Sequence, residues 1–143
     1  MRSRYWIVAL VALAGLAWAV STATSVLAAR AAATAEPALV HSVYFSLHDN
    51  GPTAVTKLVD DCKQYLTGHP GTLFFACGTP SDLDRPVNDR AFDVALHIVF
   101  DSRAAHDRYQ TAPRHLEFVE RNREQFKQVR VFDSDVEVAL EEN

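Results

Sequence analysis

From Leu39 to Leu47 apolar and polar side chains alternate, with His41, Val43, Phe45 and Leu47 on one face and Ser42, Tyr44 and Ser46 on the other. A period of two marks a strand with one buried face. The run Asp49-Asn50-Gly51-Pro52 breaks that strand, and Val55, Leu58, Val59, Cys62 and Leu66 then recur at helical spacing, with Lys57, Asp60, Asp61 and Lys63 on the solvent side. Thr67-Gly68-His69-Pro70-Gly71 stops the helix, and Thr72 to Cys77, with Leu73, Phe74 and Phe75, reads as a second strand. A polar loop follows from Gly78 to Arg90. Between Phe92 and Phe100, Val94, Leu96, Ile98 and Phe100 form a wholly apolar face against a mixed one of Asp93, Ala95, His97 and Val99. Asp101 or Ser102 caps a helix running to about Gln110, Pro113 suits the first turn of another running to about Gln128, and Val129 to about Val138 forms the last strand.

This order is β-α-β-β-α-β with the second helical segment broken near Thr111 to Pro113. It predicts an α+β fold of ferredoxin-like type, with one four-stranded antiparallel sheet and helices on one face. The other face carries Tyr44, His97, Val99 and Phe132, aromatic and apolar side chains that a second copy of the chain would cover, giving a homodimer packed sheet to sheet.

Ahead of the first strand the pattern changes. After Arg2 and Arg4 no charge interrupts the chain from Tyr5 to Ala29, and small residues follow at Val26-Leu27-Ala28 and Thr34-Ala35. Residues 1–29 therefore read as a signal peptide for export to the periplasm or the extracellular space. The alternative is an uncleaved membrane anchor through residues 5–29, since a span takes roughly 20 apolar residues; the polar Ser21, Thr22, Thr24 and Ser25 suit a cleavage region better. Residues 30–37 form a linker, 38–138 the domain and 139–143 a C-terminal tail. Cleavage before Pro37 removes Arg2, Arg4 and Arg30 from the 14 bases and Glu36 from the 18 acids, so the mature net charge falls from −4 to −6. No basic run is present, and nucleic acid is not an expected partner. Cys62, about a turn before a helix end, and Cys77, well along the next strand, are not level with one another. A disulfide needs Cα atoms within about 7 Å, so two buried free thiols are expected.

The stretch Asp93 to Val119, an apolar strand followed by a short helix ending in Tyr109 and by Pro113-x-His115 opening the next helix, resembles the middle of stress-responsive A/B barrel (Dabb) domains. The opening His41-x-Val43-x-Phe45 strand and the closing strand Val129 to Asp133 extend the likeness over His41 to Ser134. The resemblance implies a homodimer whose two sheets form a barrel. Members include stress-associated proteins without an established reaction and small cyclases of polyketide-like substrates. In the cyclases, residues placed like Tyr109 and His115 carry the proton transfers, with a histidine placed like His41 nearby. The chain departs from them at Ala112, where a further histidine often stands, and at Val94, where a polar pocket residue can occur.

Tyr109 and His115 are thus the candidate catalytic pair, and His41, Val43 and Phe45 the candidate ligand-binding face. A histidine near its ordinary pKa of about 6.5 accepts and returns a proton at neutral pH, and a phenol polarises a carbonyl or stabilises an enolate. The competing reading is structural, with Tyr109 packed on the sheet and His115 bonded to a backbone carbonyl at the helix junction. None of the six histidines has the paired spacing of a zinc motif and no Cys-x-x-Cys occurs, so no metal is assigned. His106 and His115 are the only formal haem ligands, and no cofactor is expected. The chain has no P-loop, dinucleotide glycine fingerprint or Gly-x-Ser-x-Gly elbow. Two functions remain: a non-catalytic dimer that binds a small apolar ligand, or a cofactor-free cyclase or isomerase acting through Tyr109 and His115.

Overall fold

The structure, a computed structural model, describes residues 36–137. The expected signal or anchor segment, most of the linker and the C-terminal tail lie outside the described residues. Among the described residues no helix is long and apolar enough to cross a membrane. The elements are β1 (Ala38–Leu47), α1 (Pro52–Leu66), β2 (Thr72–Gly78), β3 (Val94–Phe100), α2 (Arg103–Gln110), α3 (Pro113–Asn122), a 3-10 turn (Arg123–Gln125) and β4 (Phe126–Val136). The strands form one sheet in the order β2-β3-β1-β4, and every neighbouring pair is antiparallel. This is the ferredoxin-like arrangement the alternation predicts.

Strand β1 lies at the centre, and its burial alternates along its whole length as its sequence does. Leu39, His41, Val43, Phe45 and Leu47 turn inward, joined by Val94, Leu96, Ile98 and Phe100 of β3 and by Leu58, Cys62, Tyr65 and Leu66 of α1. Burying a Leu or Phe side chain contributes roughly 1.5–3 kcal/mol, so this two-layer core holds the helices on one side of the sheet. Proline opens both α1 and α3 at positions where no intrahelical N–H is needed. Ser102, rather than Asp101, caps α2: its Oγ accepts from the Ala105 N–H at 3.2 Å and donates to Asp101 Oδ1 at 2.7 Å.

Three details differ from the pattern read along the chain. Helix α3 stops at Asn122 rather than near Gln128, and β4 begins at Phe126 instead of Val129. Asn122 is fully buried; its amide donates to Phe118 O (2.9 Å), and its Oδ1 accepts from Gln125 (2.8 Å) and Lys57 (3.2 Å). That network ends the helix. Phe118, Asn122 and Phe126 keep helical spacing by coincidence, while Phe126 in fact pairs with Leu47 and stacks near Phe45 at 5.0 Å. Asp61 is buried rather than solvent-facing, neutralised by Lys57 at 2.7 Å. Of the two free thiols, Cys62 is buried but Cys77 only half-buried. Burial, with neighbouring Cys77 adding to it, pushes the Cys62 thiol up, so it stays protonated.

The turn Thr67 to Gly71 is tight for a physical reason. Gly71 has φ +86°, and a Cβ there would collide with Ala105 and approach Asp101 Oδ1 at 3.0 Å. Only glycine lets this turn pass so close to the start of α2. The same turn buries His69, whose Nε2–H donates to Tyr65 O at 2.9 Å.

The outer face of the sheet carries Tyr44, His97, Val99, Arg130 and Phe132, as the alternation predicts, together with Phe74 of β2. Phe74 and Phe132 are 55% and 54% exposed. The loop between β2 and β3 returns over part of this face: Phe92 meets Tyr44 edge-on at 4.9 Å, and Arg130 donates to Asp89 and to Ala91 O, both at 2.9 Å.

Candidate functional site

The inner face of β1 and the break between α2 and α3 set the site. His41, Val43, Phe45, Tyr109 and His115, the five residues singled out in the sequence, all line one cleft of about 260 Å³ between the sheet and α3. Leu96, Phe118, Val129 and Val131 complete its apolar walls, and Gln110 adds a polar group. Val129 and Val131 point inward like their pairing partners Phe45 and Val43, yet both are exposed. They sit on the edge strand, where no helix covers them, and this is where the cleft opens.

Tyr109 ends α2 and is the centre of the cluster. It is only 2% exposed, and four of the six histidines ring it: His115 at 4.5 Å between ring centroids, His69 at 4.9 Å, His41 at 5.9 Å and His106 at 6.5 Å. Among the described residues its hydroxyl has no hydrogen-bond partner. Desolvation, with a smaller contribution from Cys62, raises its pKa well above the ordinary phenol value. Tyr109 is therefore a standing donor, not a phenolate.

His115 lies in the first turn of α3, and its Nδ1–H donates to Gln110 O at 3.0 Å across the helix break. That bond leaves Nε2 as an acceptor in the neutral ring. Burial lowers the His115 pKa, the Gln110 carbonyl opposes this, and His41, His69 and His106 lower it further. His41 pairs in register with Asp133 of β4, and its Nδ1–H donates to Asp133 Oδ1 at 2.7 Å. Here too burial dominates and lowers the pKa, against the raising effect of the Asp133 carboxylate. The cleft therefore offers one phenol donor and two neutral imidazoles on apolar walls.

Sequence reading did not bring Asp133, His69, Gln110 or His106, the last singled out only as a formal haem ligand, to this site. Asp133 had a signal, because it continues the inward alternation Val129, Val131, Asp133. His106 projects from α2 beside His41, with ring centroids 5.1 Å apart, and its Nε2 lies 2.9 Å from Gln110 Nε2. His41, His106 and Asp133 each offer a ligand atom within 4.8 Å of the others.

Residues 39–136 match the family described as the stress responsive A/B barrel domain, Dabb. The chain belongs to the Dabb family. The match covers the whole sheet and its helices, slightly more than the span His41 to Ser134 over which the resemblance runs. Among curated proteins no sequence matches the chain. Solved structures of similar fold include a Dabb family protein with a ferredoxin-like fold from Mesorhizobium loti, at 23% identity and a TM-score of 0.59, covering 73% of this chain and 100% of that one. A dimeric ferredoxin-like protein of unknown function from Thermobifida fusca has 17% identity and a TM-score of 0.61, over 71% and 92% of the two chains. The hydroxynitrile lyase of Passiflora edulis has 19% identity and a TM-score of 0.59, over 73% and 98%. At these identities the likeness is one of fold.

Within this Dabb domain the two departures from the cyclase pattern have separate consequences. Ala112 precedes α3 and its N–H donates to Tyr109 O at 3.0 Å, so the helix break is held by backbone alone at this position. Val94 is fully buried in the core and is not among the residues lining the cleft.

Proposed function

We propose that this Dabb protein is exported and works as a homodimer that holds one small, largely apolar molecule per chain in the cleft between its sheet and α3. The observation that carries this reading is the cleft itself: valines exposed on an inward-facing strand beside a Tyr109 hydroxyl that has no partner among the described residues. A volume of about 260 Å³ lies just below the range of roughly 300–1,000 Å³ usual for ligand pockets. The fitting ligand is accordingly a small aromatic or alicyclic compound carrying one oxygen that accepts from Tyr109. Apolar walls supply affinity and the phenol orientation.

Titration of the full-length protein with 2-naphthol, followed by its fluorescence, is expected to saturate at one molecule per chain. Val131→Trp, which fills the cleft from the edge strand, is expected to abolish this. Unchanged binding in that variant would place the ligand elsewhere.

The export reading rests on the charge-free segment from Tyr5 to Ala29. N-terminal sequencing of secreted material is expected to begin between Ala29 and Glu36. Intact chain starting at Met1 in a membrane fraction would instead establish the anchor.

A second reading is favoured by the same phenol and its place beside His115. Tyr109 would polarise a carbonyl while Nε2 of His115, fixed as an acceptor by Gln110, removes the adjacent proton. This is cofactor-free cyclisation or isomerisation.

A further inference from the structure

Beside the cleft, at the edge between β1, β4 and α2, stands a group of side chains of which the ligand reading uses only His41. His106 is not among the residues lining the cleft. It is nonetheless held, largely buried, against the ring of His41 at 5.1 Å and tilted by 53°. A core position facing His41 is ordinarily filled by an apolar residue, and here it is a second imidazole. Asp133 completes the group from the neighbouring strand, with its side chain 44% exposed. The three ligand atoms lie within 4.8 Å of one another.

We propose that His41, His106 and Asp133 bind a divalent transition-metal ion of the zinc class. Two imidazoles and one carboxylate form a donor set suited to Zn²⁺, Co²⁺ or Ni²⁺ and poorly suited to Mg²⁺ or Ca²⁺. Zinc sits about 2.0–2.2 Å from such ligands, so a tetrahedral site needs donor separations on the order of 3.3 Å. The widest separation leaves the group slightly open, and metal entry displaces the proton that His41 Nδ1 shares with Asp133 Oδ1 at 2.7 Å, releasing it to solvent as both side chains turn to the ion. Each histidine has a second ring nitrogen, and His106 keeps a polar neighbour for it in Gln110 or Asp107. Such outer partners orient metal-bound imidazoles. With three protein ligands the fourth position opens on the exposed side of Asp133 and takes water. The site stands apart from the apolar cleft and shares only His41 with it.

The test uses the tag-free full-length protein, stripped with a chelator and titrated first with Co²⁺ and then with Zn²⁺. Binding of one Co²⁺ per chain with the intense visible bands of a tetrahedral site, bleached by equimolar Zn²⁺, is expected. Asp133→Asn keeps an acceptor for His41 and should remain folded, yet should weaken Zn²⁺ binding at least about tenfold, as should His106→Asn. His48→Asn, at an exposed histidine outside the group, should change nothing. The proposal is overturned if the wild-type protein gives only the pale spectrum of hydrated Co²⁺. Equal Zn²⁺ affinity in wild type and in either folded variant would overturn it as well.

Discussion

Phe132→Glu is expected to leave a folded monomer in place of the proposed wild-type dimer. Phe132 lies on the edge strand β4 of the helix-free face, opposite Ser42 and edge-on to Tyr44 at 5.9 Å, and more than half of it is exposed in the single chain. With Phe74 it makes an apolar surface of the kind that soluble chains cover by self-association. A glutamate there would be desolvated in the dimer without a free counter-charge, because Arg130 is already committed to Asp89 and the Ala91 carbonyl. An unpaired buried charge costs about 3–5 kcal/mol, which weakens association by roughly two to three and a half orders of magnitude at about 1.4 kcal/mol per tenfold. Leu116→Glu serves as the control. Leu116 is equally exposed, but it sits on α3 on the opposite side of the sheet and should leave the dimer intact. Light scattering at micromolar concentration reads both variants, and a monomeric wild type would end the sheet-to-sheet proposal.

How much of this was legible before the structure depended on the kind of signal each residue carries. Period-two alternation placed every inward side chain of β1 and β3 correctly, because one buried face leaves the register no freedom to slip. The two faces of the sheet, and with them the core and the exposed aromatic patch, could be read directly. Helix boundaries carried less information. Phe126, four residues after Asn122, reads as one more turn of α3 until the Asn122 network is seen to stop the helix and hand Phe126 to the sheet. Alternation put Asp133 on the inward face with Val129 and Val131, but period two fixes the face and not which residue lies opposite, so its pairing with His41 needed the structure. Asp61 was misread because a lysine one turn earlier lets a carboxylate enter the core edge. Neither His69 nor His106 could be placed beside the site from the sequence. One comes from a tight turn and the other from a short helix, and only the folded chain brings them to Tyr109 and His41.

Tyr109→Phe and His115→Ala are expected to part company, and their difference separates a ligand-binding cleft from a merely structural one. The Tyr109 side chain is nearly buried, and its hydroxyl forms no hydrogen bond among the described residues. Removing it breaks no hydrogen bond of the fold and should therefore hold the melting temperature or raise it by a few degrees, at about 4–8 °C per kcal/mol for a domain of this size. His115 is different. Its ring donates to Gln110 O across the α2–α3 break, and truncation orphans that carbonyl and hollows the cleft wall. A loss of about 1–2 kcal/mol follows. If the cleft only stores its ligand, Tyr109→Phe should weaken binding by the value of one neutral hydrogen bond, about 0.5–1.5 kcal/mol or roughly two- to tenfold. If Tyr109 is instead the acid of a cofactor-free reaction, the same variant should bind its substrate almost normally while turnover falls about 10²- to 10⁴-fold. Melting curves and 2-naphthol titrations of the two variants can be run on the protein before any substrate is identified. A clear drop in the melting temperature of Tyr109→Phe would mean that the hydroxyl is satisfied within the fold, and would count against both roles for it.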